Sequence, residues 1–128
     1  MAEFEPVEDQ IEAGTLVVGG GITGMTTAIE TAEAGRSVIL VEKQPTLGGR
    51  VASAHQYFPK LCPPTCGMEI NLKRMRVNPN VRVLTLAEVE SISGEPGAYE
   101  VKIKLNPRYI NEKCTASVSY THLRAHET

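Results

Sequence analysis

Three glycines and one carboxylate form the most chemically informative pattern in this sequence. Gly19, Gly21 and Gly24 have the spacing G-x-G-x-x-G, and Glu42 follows the last of them by 18 residues. Glycines at this spacing allow a sharp turn, close approach of the backbone to a pyrophosphate, and tight packing of the following helix. A carboxylate at the end of the next strand accepts hydrogen bonds from a ribose. The pattern therefore predicts a dinucleotide-binding site.

The residues beside these four extend the predicted site. A helix is expected to begin near Ile22 and Thr23, so that its free N–H groups and its positive end face the phosphates. Glu42 at the ribose favours an adenosine without a 2′-phosphate over NADP. Lys43 follows at the same strand end and is included among the cofactor-binding candidates.

The elements that must position these residues follow from hydrophobic runs and turn signals. Continuous apolar runs are typical of strands buried on both faces, and alternating runs are typical of a hairpin. We expect strands at Thr15–Gly19, Ser37–Val41 and Val81–Leu86, helices at Ile22–Ala34 and Met68–Val77, and an antiparallel hairpin of Glu88–Ser93 with Ala98–Leu105. The fold class is α/β, the N-terminal part of a Rossmann-like FAD-binding domain (parallel βαβ) with a small antiparallel β hairpin. Since only the first two strands and one helix are assigned firmly to the parallel sheet, we expect this domain to be incomplete.

A second glycine pair and two cysteines lie in the long segment Gln44–Pro64 and just beyond it, where no regular periodicity is visible. Gly49 and Arg50, in the run L-G-G-R, could bring backbone and a guanidinium to the cofactor. Cys62 and Cys66, in the run F-P-K-L-C-P-P-T-C-G, sit on a proline-stiffened loop that suits iron–sulfur ligation or thiol chemistry. The alternative is two structural cysteines, since these residues alone do not complete a four-ligand site.

Composition limits the classes of protein to which the chain can belong. It has 128 residues, a net charge of −2 and no apolar run long enough for a membrane segment. The acidic start lacks the features of a signal peptide, and no basic patch indicates nucleic-acid binding. Three cysteines in such a chain favour a cytoplasmic location and metal or redox roles over disulfides.

The last eleven residues, Val118–Thr128, show neither helical nor strand periodicity. The run V-S-Y-T-H-L-R-A-H-E-T matches, codon by codon, the translation of a transposase-type sequencing adapter. We therefore expect a loose leader at 1–14, a partial dinucleotide-binding domain at 15–116 and an artefactual tail at 117–128. On this interpretation Ser117 is a hybrid codon, and the C-T-A context after Cys114 predicts a native cysteine at position 117. The alternative is a genuine C-terminal tail.

Five blocks of the sequence resemble the flavin-containing A subunits of the heterodisulfide reductase family. The blocks are V-V-G-G-G-I-T-G-M, L-V-E-K, L-G-G-R-V, Q-Y-F-P-K-L-C-P-P-T-C-G and N-P-R-Y-I-N-E-K-C-T-A, spread over residues 15–116. The chain is most similar to the A subunit found in quinone-interacting membrane-bound oxidoreductase complexes. The first block is common among flavoproteins, and the last two are much more specific.

The resemblance implies an FAD-binding subunit that passes electrons between flavin and [4Fe-4S] clusters. It implies FAD contacts from the glycine turn, Glu42, Gly49 and Arg50, with a backbone contact to the adenine at Val89. It implies that Cys114 is the first ligand of a ferredoxin-type cluster. The expected partners are other subunits of an electron-transfer complex, and any membrane association runs through such a partner. No side chain stands out as a catalytic acid, base or nucleophile. The alternatives are an FAD-dependent amine oxidase or desaturase-like enzyme, and a non-catalytic dinucleotide-binding scaffold.

Overall fold

A three-stranded parallel sheet forms the centre of the protein. The computed structural model describes residues 8–56, 60–110 and 113–115. The strands are β1 (Thr15–Val18), β2 (Val38–Val41) and β3 (Val81–Leu84), in the order β1-β2-β3. All four residues of β2 are buried, because β2 lies between the other two strands and both of its faces are covered. The α/β class predicted from the sequence is confirmed.

Two helices cover one face of this sheet. Helix α1 (Ile22–Glu33) follows the glycine turn, and α3 (Thr65–Val77) packs beside it. Helix α1 buries residues at helical spacing, which gives it one apolar face toward the sheet. The buried cluster on this side is Met25, Ala28, Ile29, Ala32, Val38, Leu40 and Met75.

A hairpin covers part of the other face. Strands β4 (Ala87–Glu95) and β5 (Ala98–Leu105) pair antiparallel, and Ala87 packs with Ile39 and Val41 of the sheet. The pairing shifts by one residue between Val89 and Ser91, which is the signature of a β-bulge. Because of this shift, the pairs Val89–Ile103 and Ile92–Val101 lie on the same face, and the apolar stripe continues along the hairpin.

An exposed ionic contact joins the two helices. Arg74 of α3 donates to Glu33 at 2.6 and 2.9 Å and to Glu30 at 3.0 Å, both on α1. The hydrogen bonds from Arg74 lower the pKa of the Glu33 carboxyl, and its charge acts in the same direction. Those same bonds, the one to Glu33 first, raise the pKa of Arg74. Asn80, in the turn before β3, also donates to the carbonyl of Ala32 near the end of α1 at 3.3 Å.

The expected elements are present, with differences at their ends. Strands β1 and β3 end earlier than predicted, because Gly19 and Leu86 have φ values of +106° and +53° that turn the chain out of the extended conformation. The segment Gln44–Pro64 was expected to lack regular structure, but it contains a short helix α2 (Gly49–Ala52). Helix α3 begins three residues before the predicted start, and β4 continues to Glu95. No helix among the described residues is long and apolar enough to cross a membrane.

Candidate functional site

The turn between β1 and α1 depends on the missing side chains of two glycines. Gly19 adopts a φ of +106°, a left-handed conformation that residues with a Cβ rarely adopt. Gly24, on the first turn of α1, lies so close to the Gly19 carbonyl that a Cβ at position 24 would overlap its oxygen. Helix α1 can therefore approach the end of β1 only because position 24 carries no side chain.

Gly21 is different, because the protein itself does not require a glycine there. Its φ of −72° is open to any residue, and a Cβ at this position would meet no described atom within 4 Å. Gly21 is the N-cap of α1, and the first N–H groups of a helix have no acceptor within the helix. The first turn carries no acidic residue that would occupy those donors. The space beside Gly21 is thus open, next to N–H groups that favour an anion.

Glu42 is the buried carboxylate beside this turn, 8% exposed. Its Oε2 atom accepts a hydrogen bond from the Gly20 N–H at 2.6 Å, and its Oε1 atom accepts one from the Gln44 N–H at 2.8 Å. Each carboxylate oxygen can accept about two hydrogen bonds, so each retains capacity for a ligand hydroxyl. Glu42 is therefore held at the glycine turn by backbone donors on both of its oxygens.

Gly20 joins the glycine turn to the loop that follows β2. Its N–H binds Glu42, and its carbonyl accepts a hydrogen bond from the Gly48 N–H at 2.8 Å. A Cβ on Gly20 would lie 2.5 Å from Leu47 Cδ2 and 2.8 Å from Glu42 Oε2. No role for Gly20 was predicted from the sequence, because the fingerprint leaves that position unspecified. The run of three glycines at 19–21 was the available signal.

The loop with the second glycine pair is in direct contact with the first turn. A Cβ on Gly49 would lie 3.2 Å from Gly21 Cα, and φ at Gly49 is +56°. Arg50 follows in α2 and is exposed. A cleft of about 550 Å³ opens here, and its lining residues are Gln44, Thr46, Leu47, Gly49, Arg50, Ala52 and Ser53. The structure thus brings Gly49 and Arg50 beside the residues predicted from the fingerprint.

Two further cofactor candidates lie where the sheet meets the hairpin. Lys43 Nζ is 3.1 Å from Glu88 Oε1, so its ammonium group faces β4 in an exposed ion pair. Val89 pairs with Ile103, and its side chain packs with the cluster beneath the hairpin. Its side chain therefore faces the core. The predicted contact of Val89 with an adenine, made through the backbone, stays a prediction.

The cysteines predicted as metal ligands are only partly brought together. Cys62 and Cys66 are exposed and line one cleft of about 420 Å³, together with Ile22 at the start of α1 and Val51 of α2. Cys114 is also exposed and is not among the residues that line this cleft. Among residues 8–56, 60–110 and 113–115, no group of three or more His, Cys, Asp or Glu side chains could hold a metal ion. Ser117 and the predicted tail lie outside the described residues.

The chain matches a family model and several curated proteins. Residues 17–85 match the NAD(P)-binding Rossmann-like domain. The chain is 39% identical over 112 residues to an iron-sulfur A subunit (the first of two) of the CoB–CoM heterodisulfide reductase of Methanopyrus kandleri, covering 84% of this chain and 16% of that protein. It is 37% identical over 110 residues to the iron-sulfur A subunit of the same reductase in Methanocaldococcus jannaschii, covering 83% and 16%. The chain therefore spans only a small part of the length of these relatives.

Solved structures of several oxidoreductases share this fold. The L-proline dehydrogenase from P. horikoshii has a TM-score of 0.61 at 18% identity, covering 80% of this chain and 22% of that one. The T. acidophilum thioredoxin reductase has a TM-score of 0.57 at 21% identity, covering 71% and 30%. At these identities the likeness concerns the fold alone.

Proposed function

This chain belongs to the NAD(P)-binding Rossmann-like domain family, and on that premise we propose that it binds FAD as part of an oxidoreductase subunit of the heterodisulfide reductase A type. Two findings support the oxidoreductase assignment. The curated relatives carry that name over more than four-fifths of this chain, 84% and 83%. The five sequence blocks between residues 15 and 116 favour the same assignment, and they imply FAD as the cofactor.

The observation that carries the FAD proposal is the open space beside Gly21. Nothing in the described protein fills it, although the glycine turn, Glu42 and the Gly48–Gly49 loop all converge on it. A pyrophosphate there would face the N–H groups of Ile22 and Thr23 at the positive end of α1. The remaining lone pairs of Glu42 would accept hydrogen bonds from the ribose diol.

Other residues of this chain would complete the FAD site. Arg50 lines the neighbouring cleft, where its guanidinium can neutralise phosphate charge. Val51 and Ile22 line the second cleft and would shield the inner part of the cofactor from water. FAD, when bound, supplies one- and two-electron transfer, and the protein supplies position and electrostatics.

We also propose that the complete protein transfers electrons between FAD and [4Fe-4S] clusters within a cytoplasmic multi-subunit complex. The support is the iron-sulfur name of the Methanopyrus relative and the shared cleft of Cys62, Cys66 and Ile22. That cleft would put thiolates beside the helix terminus that binds the cofactor. Cys114 would belong to a separate, ferredoxin-type cluster. The resemblance of the chain to quinone-interacting complexes suggests that another component of the complex, and not this chain, meets the membrane.

Two alternatives remain distinguishable by experiment. An amine oxidase or desaturase-like enzyme would share the glycine fingerprint and the G-G-R loop, but it would have no use for three exposed cysteines. A scaffold protein would bind FAD without turnover. Reduction of bound flavin by a physiological electron donor separates an electron-transfer subunit from a scaffold.

The iron–sulfur part of the proposal predicts an effect of changing both cysteines of the second cleft. Cys62→Ser with Cys66→Ser should lower the iron content of the anaerobically purified protein or alter reduction of its flavin. Both side chains are exposed, so the unfolding midpoint should stay unchanged. Iron content, flavin content and the rate of flavin reduction are the measurements. A double variant identical to the parent in all three would make these cysteines structural residues.

A further inference from the structure

Arg108 is a surface residue whose hydrogen bonds reach the loop of the candidate site. It lies just after β5, in the run N-P-R-Y, and nothing in the glycine fingerprint assigns it a role. Its Nη2 atom donates to the carbonyl oxygen of Pro45 at 3.2 Å and to the hydroxyl of Thr85. One nitrogen therefore joins the segment after β5, the segment after β3 and the loop after β2.

The Pro45 carbonyl lies between two other attachment points of the same loop. On one side, the Leu86 N–H donates to the Gln44 carbonyl at 3.2 Å. On the other, the Gly48 N–H donates to the Gly20 carbonyl at 2.8 Å. Proline has no N–H, so its carbonyl is the only polar backbone group by which position 45 can be held. Arg108 supplies that contact from a position 63 residues away in the chain.

The loop held in this way forms one wall of the cleft beside the glycine turn. Gln44, Thr46 and Leu47 line that cleft. Leu47 also packs against Gly20, where a Cβ would lie 2.5 Å from its Cδ2 atom. Movement of Pro45 would therefore be transmitted to both the cleft wall and the glycine turn. Leu86, at a φ of +53°, gives further rigidity to the junction, since its N–H and its carbonyl are both hydrogen-bonded.

We propose that Arg108 is a positioning residue that sets the affinity of the site for FAD without touching the cofactor. By fixing the Pro45 carbonyl, it holds residues 44–48 in the shape that receives the nucleotide, so that less conformational entropy is lost on binding. This inference rests on the proposed function, because it concerns the affinity of that same site.

The test compares Arg108→Gln with a matched variant, Arg82→Gln, in the full-length protein. Arg82 is an exposed arginine on β3, so the control removes the same charge. Hydrogen–deuterium exchange of the peptide spanning 43–50 is measured in the FAD-free protein, and the dissociation constant for FAD is measured by reconstitution. Arg108→Gln should speed exchange in that peptide and leave the peptide spanning α1 unchanged. It should weaken FAD binding roughly two- to fivefold, the range expected for an exposed charged contact.

Two further variants separate the two hydrogen bonds. Thr85→Val removes the hydroxyl acceptor and leaves the Pro45 contact, so its effect should be smaller than that of Arg108→Gln. Arg108→Lys keeps the charge and should restore part of the affinity, but not the full fork geometry. Unchanged exchange in 43–50, or unchanged FAD affinity in Arg108→Gln, would overturn the inference. A parent protein that binds no FAD would instead overturn the proposed function.

Discussion

Glu42 has part of its hydrogen-bonding capacity committed before any ligand arrives. One oxygen accepts from the Gly20 N–H and the other from the Gln44 N–H. A carboxylate is suited to this position because both of its oxygens are acceptors. An amide of the same shape has one acceptor oxygen only, so its NH₂ group would face one of the two N–H donors. Glu42 is therefore expected to shape the glycine turn as well as to bind the ribose.

Glu42→Gln should weaken FAD binding about tenfold or more, since one buried N–H loses its acceptor and the ribose loses a charged partner. The fold should persist, because the substitution keeps the size of the side chain. Calorimetric titration with FAD measures the effect. Glu69→Gln, an exposed carboxylate on α3, is the control with the same charge change. Equal affinity in Glu42→Gln and the control would remove Glu42 from the site.

Two helix glycines give a paired test of the packing argument. Gly24→Ala should lower the free energy of unfolding by about 2 kcal/mol or more, because its Cβ would overlap the Gly19 carbonyl. Gly67→Ala on α3 should raise it by roughly 0.5–1 kcal/mol, because a Cβ there meets no described atom and alanine favours helix. Denaturant unfolding measures both. Similar effects in the two variants would show that the close approach at Gly24 is not rigid.

Among the secondary-structure elements, the contact between α1 and α3 should respond to pH. The pKa of Glu33 is lowered by Arg74, so the stabilisation is present above the ordinary carboxyl pKa and is lost as pH falls through the lowered one. Arg74→Gln should therefore lower the unfolding midpoint slightly at pH 7, and the difference from the parent should vanish in strong acid or high salt. Arg76→Gln, also in the last turn of α3, is the control. A difference that persists unchanged at low pH would mean that Arg74 acts through packing.

The predictability of each element follows from how local its signals are. Helix α1 and strand β2 were predicted closely, because their apolar periodicity and flanking glycines lie within or beside the element itself. Helix α2 has four residues, and both Gly48 and Gly49 enter it with positive φ, so no periodicity announces it. The role of Arg108 was equally hidden from the sequence, since its acceptors come from Pro45 and Thr85, which are distant in the chain.

Across the molecule, the described residues leave apolar surface at the edge of the parallel sheet. Strand β1 has a pairing partner on one side only within the described sheet, and Val18 is 64% exposed. The chain corresponds to 16% of the length of two heterodisulfide reductase relatives. Expressed alone, it is expected to aggregate and to retain little flavin. Residues 116–128 lie outside the described part of the structure, so the adapter origin of the tail and a cysteine at 117 stay predictions that sequencing of the source DNA decides.

The proposed function requires a dinucleotide in the space beside Gly21, and the flavin content of Gly21→Val decides whether one binds there. Valine at this position meets no described atom and needs no positive φ, so the circular dichroism spectrum and the unfolding midpoint should match the parent. Its side chain would nevertheless occupy the predicted pyrophosphate position, and the purified full-length protein should lose its flavin absorbance. A folded Gly21→Val protein with the flavin content of the parent would refute the proposed binding site.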